Sequence, residues 1–339
     1  MRKSFMRRIE IVATLSVLAL LLLVSGYLIY RFFAQSPTGP VTTLTTSSEQ
    51  TAPSSALTSA ITALIPADLN FVPDHGVRID QASNPGARLL EDGSVELLYS
   101  DNSQFPPQDR VSQSADGLLF PTGEIENDSA RFHATKLPDG TWRNYLWDMN
   151  RKIFASKYST DGLHFTAEAG SRYELQADDK GTIGITEVFT DTKGGVVLLY
   201  IGDMYGKNRV RRAYSTDKGL TFHFDRDTVF GDAAAQTNQT FVDQKVYKLP
   251  AGTFRALVMK QGLIYSFSSP DGDQFSLEEG VRLRPLDFTD LEIVSFHDPV
   301  MVRLPDGRYR IYVAARLGTG QPSPGSALKF VIVSATTEK

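Results

Sequence analysis

The sequence predicts an all-β fold, a five-bladed β-propeller, and three observations predict it. A strand, a glycine-containing turn and a second strand recur with a period of about 50 residues. A Ser-x-Asp turn ahead of an aromatic residue follows each of the first four copies. Finally, Phe71 to Ile79 (FVPDHGVRI) repeats Phe275 to Leu283 (FSLEEGVRL), but only the second has a turn, Ser269 to Gly272, before it; the last strand runs out at Val333-Ser334, where such a turn would begin. A repeat shared between the two ends predicts a ring closed by its own termini, which hides the edges that an open sheet exposes.

Two segments precede the ring. Arg2, Lys3, Arg7 and Arg8 come before an apolar run from Ile11 to Phe33. That run approaches the roughly 20 residues needed to cross a bilayer and exceeds the roughly 7–15 of a signal-peptide core. Positive charge ahead of it keeps the N-terminus cytoplasmic and exports the rest. Residues 1–34 therefore read as a basic tip and a transmembrane signal-anchor helix, giving a single-pass membrane protein whose C-terminal domain is extracellular. A long signal cleaved near Val24-Ser25-Gly26 is the alternative. Residues 35–66 are dominated by Ser, Thr, Pro and Ala, with Glu49 the single charge. Such a composition buries too little apolar surface to offset its ordering entropy, so a disordered linker is expected.

Residues 67–339 hold the propeller. Its strand–turn–strand units run over 87–99, 133–145, 188–200, 245–257 and 300–312, with turn glycines Gly93, Gly140, Gly195, Gly252 and Gly307. Asp-Gly between apolar, β-branched and aromatic runs is a strong hairpin signal, and Pro138, Pro250 and Pro305 confine three of these turns further. The second element appears at Ser114-Ala-Asp116-Gly117, Ser159-Thr-Asp161-Gly162, Ser215-Thr-Asp217-Lys-Gly219 and Ser269-Pro-Asp271-Gly272. There the aspartate locks the turn by accepting backbone N–H bonds, while glycine supplies positive φ. The blades are expected at 80–126, 127–182, 183–236, 237–290 and 291–339, with 68–79 as the outermost strand of the last.

Composition narrows the function. A net charge of −4 leaves no electrostatic footprint for nucleic acid. The absence of cysteine excludes disulfides, thiolate metal sites and cysteine nucleophiles. No phosphate-cradling glycine loop, serine-nucleophile motif or His-rich spacing is present, so neither cofactor nor metal is expected.

In a propeller the first strand of each blade lines the central channel, and its opening residues converge. Eight or nine positions before the turn glycines stand Asn84, Arg131, Thr186, Asp243 and Asp298, with Glu187 and His297 beside two of them. Such residues either bind a ligand or satisfy channel water and backbone groups between blades. Trp142, Tyr145 and Trp147 lie along one strand and read as core in preference to a sugar-stacking surface.

His297-Asp298-Pro299 and Asn84-Pro85 resemble the blade-opening Asp-Pro signature of the five-bladed propeller glycosidases, the arabinanase/xylosidase/invertase-like group. The Ser-x-Asp-Gly turns resemble the Asp-box (BNR) repeat of sialidases, whose aspartates are structural. The first resemblance implies hydrolysis of a glycosidic bond by two carboxyl groups, one protonating the leaving oxygen and one activating water or attacking the sugar. It implies Glu187 as general acid, with a pKa raised by neighbouring acids and partial burial. Asp298 or Asp243 would be the base or would tune the acid; Arg131 would grip a substrate carboxylate, and His297 would bond a sugar hydroxyl or water. One departure is plain. Those glycosidases carry their catalytic base as an Asp at the first-blade opening, where this chain has Asn84, and an amide takes no proton from water. Either Asp80 substitutes from nearby, or the base sits elsewhere, or the site is not hydrolytic. The sialidase resemblance lacks an Arg-Ile-Pro and a set of three arginines.

The expectation is therefore a membrane-anchored, extracellular, monomeric glycoside-hydrolase-like propeller acting on glycans. The alternative is a non-catalytic carbohydrate- or protein-binding propeller at the cell envelope.

Overall fold

Five antiparallel sheets of four strands each follow one another along the chain. The computed structural model describes residues 69–204, 206–232, 239–318 and 329–338. The expected anchor (1–34) and linker (35–66) lie outside these. Among the described residues, no helix is long and apolar enough to cross a membrane.

The first blade is β2 (Ala82–Leu89), β3 (Val95–Asp101), β4 (Gln108–Ser114) and β5 (Glu124–Ile125). A one-turn helix, α1 (Ala130–His133), leads into the second: β6 (Thr135–Lys136), β7 (Trp142–Asp148), β8 (Ile153–Ser159) and β9 (Thr166–Ala167). The third is β10 (Ile183–Thr190), β11 (Val196–Gly202), β12 (Arg209–Ser215) and β13 (His223–Arg226). The fourth is β14 (Val242–Lys248), β15 (Phe254–Lys260), β16 (Leu263–Ser269) and β17 (Ser276–Leu277). The fifth joins β18 (Ile293–Arg303), β19 (Tyr309–Leu317) and β20 (Phe330–Thr337) to β1 (Phe71–Ile79), in the order β1-β20-β19-β18. The ring therefore closes as the split repeat predicts, with Phe71 opposite Thr337 and Asp74 opposite Ser334.

A buried ionic clamp recurs inside the blades and explains why the two halves of the split repeat match. In the second blade Glu168 accepts hydrogen bonds from Arg143 (2.7 Å) and Ser156 (2.6 Å), and Arg172 donates to Ser156 at 2.8 Å. In the fourth, Glu278, Arg255, Ser266 and Arg282 repeat the arrangement. In the fifth, Asp74 from the N-terminal strand accepts from Ser334 at 2.7 Å and Thr336 at 3.0 Å and lies 3.3 Å from Arg310. The closing strand thus brings its own carboxylate to complete a clamp begun near the C-terminus.

The apolar core sits in layers between neighbouring blades. Phe154, Tyr145, Leu198, Tyr200 and Phe222 fill the space between blades two and three. Phe254, Phe267, Phe241, Val197 and Leu199 lie between three and four; Phe296, Leu257, Ile264 and Ile311 between four and five; Leu97, Val302 and Tyr312 between five and one. Phe241 and Phe296 belong to these layers. Blades one and two are also joined by charge, with Glu96 bonded to both Arg88 and Arg131.

The Ser-x-Asp turns join the third and fourth strands. In the first, Gly117 N–H donates to Ser114 Oγ (3.0 Å), and Leu118 N–H donates to Asp116 Oδ1 (2.8 Å). The bonds are spent within the turn, which makes these aspartates structural.

Candidate functional site

Four inner strands break register at their openings, between Ser83 and Gly86, Gly184 and Glu187, Val242 and Lys245, and His297 and Val300. At each break one residue adopts left-handed backbone: Asn84 (φ 51°), Ile185 (φ 44°), Asp243 (φ 54°) and Asp298 (φ 49°). A bulge inserts one residue and re-aims the side chains around it. Asn and Asp tolerate this backbone; a β-branched residue adopts it only at a cost.

All four lie nine residues before a glycine of positive φ: Gly93, Gly194, Gly252 and Gly307. Each of these glycines donates its N–H to the carbonyl three residues earlier. The turn glycine of the third blade is thus Gly194, not Gly195, and the expected register there moves by one. Ile185, not Thr186, is the counterpart of Asn84, Asp243 and Asp298. Glu187 falls into the next ring position, seven before the glycine, with Gly86, His133, Lys245 and Val300.

Blade two departs from the pattern. Arg131 sits in α1 instead of a bulged strand; its guanidinium bonds Glu126, lies 3.3 Å from Glu96 and stacks 4.7 Å over Phe132. It ties blades one and two, with Glu126 and Glu96 at its guanidinium edge and Phe132 under one face.

Between the second and third blades lies a recess of about 370 Å³, lined by Asp128, His133, Trp147, Lys157, Ile185, Glu187 and Lys245. Its charges are matched in pairs. Lys157 Nζ lies 2.8 Å from Asp128 Oδ1, and Lys245 Nζ lies 2.9 Å from Glu187 Oε2. Glu187 Oε1 also accepts the Val246 N–H at 3.1 Å, across to blade four. The crowding by other acids expected around Glu187 is not what surrounds it: its nearest partners are an ammonium and an N–H donor. The Trp147 indole N–H is buried in this wall and has no hydrogen-bond partner. Buried donors are nearly always met, so an unmet one in a cavity wall is informative.

A second group stands beside the recess. Asp298 donates its backbone N–H to Asp243 Oδ2 at 3.4 Å. Burial, and then the charge of Asp298, push the Asp243 carboxyl well above the usual range. Burial raises Asp298 to about 6, opposed by the Lys245 ammonium. His297 Nε2 shares a hydrogen bond with Ser295 Oγ at 2.9 Å, its Nδ1 is 3.9 Å from Asp243 Oδ2, and its ring packs edge-on against Phe330. Burial, then Arg316, push its imidazole down to about 4, so it is neutral at pH 7.

Asn84 and Asp80 are not drawn in. Asn84 is exposed, its amide donating to Ser100 Oγ at 3.3 Å. Asp80 is solvent-exposed, 3.4 Å from Lys329 Nζ, and does not line the recess. Among the described residues, no three His, Asp or Glu side chains are grouped to hold a metal ion.

Sequence reasoning missed Lys245, His133 and Ile185; it read Trp147 as core, and Trp147 does pack against the apolar cluster between blades two and three while also lining the recess. The seven-before-glycine count holds the first two, and the correct glycine of the Gly194-Gly195 pair finds the third.

No family model matches the chain, and no curated protein matches it. Solved structures do. An α-L-arabinofuranosidase from Podospora anserina in complex with cellotriose superposes with a TM-score of 0.58 at 13% identity, covering 81% of this chain and 98% of that one. The catalytic domain of a family GH62 α-L-arabinofuranosidase from Coprinopsis cinerea gives 0.58 at 12%, covering 80% and 98%. A thermostable family-43 glycoside hydrolase gives 0.53 at 11%, covering 78% and 91%. The likeness to sialidase repeats has no counterpart among these structures. At such identities the similarity is one of fold: the chain is a five-bladed β-propeller with structural neighbours in glycoside hydrolase families 62 and 43.

Proposed function

We propose that this chain is a glycoside-hydrolase-like propeller that takes up a carbohydrate in the recess between blades two and three, held at the extracellular side of a membrane by its N-terminal segment. One observation carries the reading: Trp147, which lines a cavity of about 370 Å³ beside matched charges, holds a buried indole N–H with no hydrogen-bond partner. A sugar offers what such a wall lacks, hydroxyl acceptors for an orphan donor and a C–H face for an aromatic ring. The neighbour bound to cellotriose suits this reading.

Binding without hydrolysis is the form the geometry favours. Glu187 is engaged by Lys245 and Val246, and the first-blade opening holds an amide. Hydrolysis is the second reading, and Asp298 favours it: a carboxyl held up to about 6 is poised to donate or accept a proton near neutrality. Screening residues 67–339 for glycan binding and for hydrolysis of aryl glycosides separates them. Binding with no turnover supports the first. Turnover that disappears in Glu187→Gln or Asp298→Asn supports the second. No glycan bound and no substrate turned over removes both.

A further inference from the structure

Ile185 is the single β-branched residue with positive φ among the described residues. Its counterparts at the other bulged openings, Asn84, Asp243 and Asp298, have the short polar side chains that tolerate left-handed backbone. A branched side chain there is an outlier of the kind that persists only when its surroundings impose it. They do so here. Gln244, 1% exposed, donates its amide N–H to the Ile185 carbonyl from blade four. The preceding Gly184 lies against the Met204 side chain, which would have to move to admit a Cβ there.

The apolar side chain is nevertheless not used to fill the core. Ile185 is 38% exposed and opens onto the recess, in the same wall as Trp147 and Glu187. If backbone geometry were the only demand, asparagine would serve, as it does at position 84. A branched apolar group kept against its backbone preference, and left uncovered, has its use in what enters the recess. We propose that Ile185 is a specificity-determining residue whose side chain packs on the C–H face of a bound sugar ring, and that the fold holds it there at a cost in stability. This rests on the carbohydrate reading of the recess.

Two variants test it, Ile185→Asn and the conservative Ile185→Val, each measured for thermal midpoint and for affinity toward xylotriose and cellotriose by calorimetry. Ile185→Asn is expected to raise the midpoint by ~2–4 °C and to weaken binding at least fivefold. Ile185→Val is expected to keep both within error of the parent. A lowered midpoint in Ile185→Asn overturns the stored cost, and unchanged affinity overturns the contact. A parent protein that binds neither oligosaccharide, nor any glycan in a wider screen, overturns the carbohydrate reading and the contact with it, while the thermal midpoints still decide the backbone claim.

Discussion

Lys245 Nζ lies 2.9 Å from Glu187 Oε2, and the two residues hold equivalent places in adjacent blades, each seven positions before its turn glycine. One ring position therefore supplies both halves of an ion pair that locks blade three to blade four. Removing the cation leaves a mostly buried carboxylate with only the Val246 N–H. We expect Lys245→Met to destabilise the domain by about 1–3 kcal/mol in urea unfolding. Glu187→Gln keeps an acceptor for Val246 and should cost less. The double variant should recover part of the sum, since the unpaired charge is gone.

The Asp243–Asp298 pair sets a pH signature. In the unfolded chain Asp298 titrates near its ordinary 3.8, and in the fold at about 6. Well below 3.8 it is protonated in both states and carries no penalty, and the penalty builds between 3.8 and about 6. As pH rises through 6 the folded carboxyl must ionise against its surroundings, and its contribution to stability is lost. Asp298→Asn should therefore be close to the parent near pH ~4 and exceed it above pH ~6, by on the order of 2 kcal/mol. His297 acts in the opposite sense, its contribution complete above 6.5 and lost as pH falls through 4, but it is common to both proteins and cancels in the difference. Stability curves of the two proteins across pH 4–8 check this; a difference independent of pH would contradict it.

Asp74 carries the closure of the ring, accepting from Ser334 and Thr336 beside Arg310. Asp74→Ala should cost roughly 2–4 kcal/mol and speed amide exchange in 330–337 ahead of the other blades. Uniform exchange across all five blades would show that the N-terminal strand is not the weak point.

The architecture was legible because it repeats. Each blade carries its own turn glycine, and Phe71 to Ile79 matches Phe275 to Leu283 because both strands contribute a carboxylate to the same clamp. The site was harder to read. Gly194 and Gly195 are equally good turn residues on paper, and in a strand one position decides which side chain faces the channel. Arg131 keeps the sequence spacing of an inner-strand opening, yet blade two starts with a helical turn that no local pattern announces. Lys245 was passed over because its meaning lies in Glu187, 58 residues away in sequence.

The claim that a carbohydrate enters the recess is tested most directly by following the indole N–H signals during titration with xylotriose and cellotriose. The chain has two tryptophans. Trp147 lines the recess with its N–H unpaired, while Trp142 lies under Gly162 at a Ser-x-Asp turn. Saturable movement of the Trp147 resonance, with Trp142 unmoved, is the expected result. Movement of Trp142 alone, or of neither across oligosaccharides that the protein demonstrably binds, would place the sugar elsewhere and contradict it.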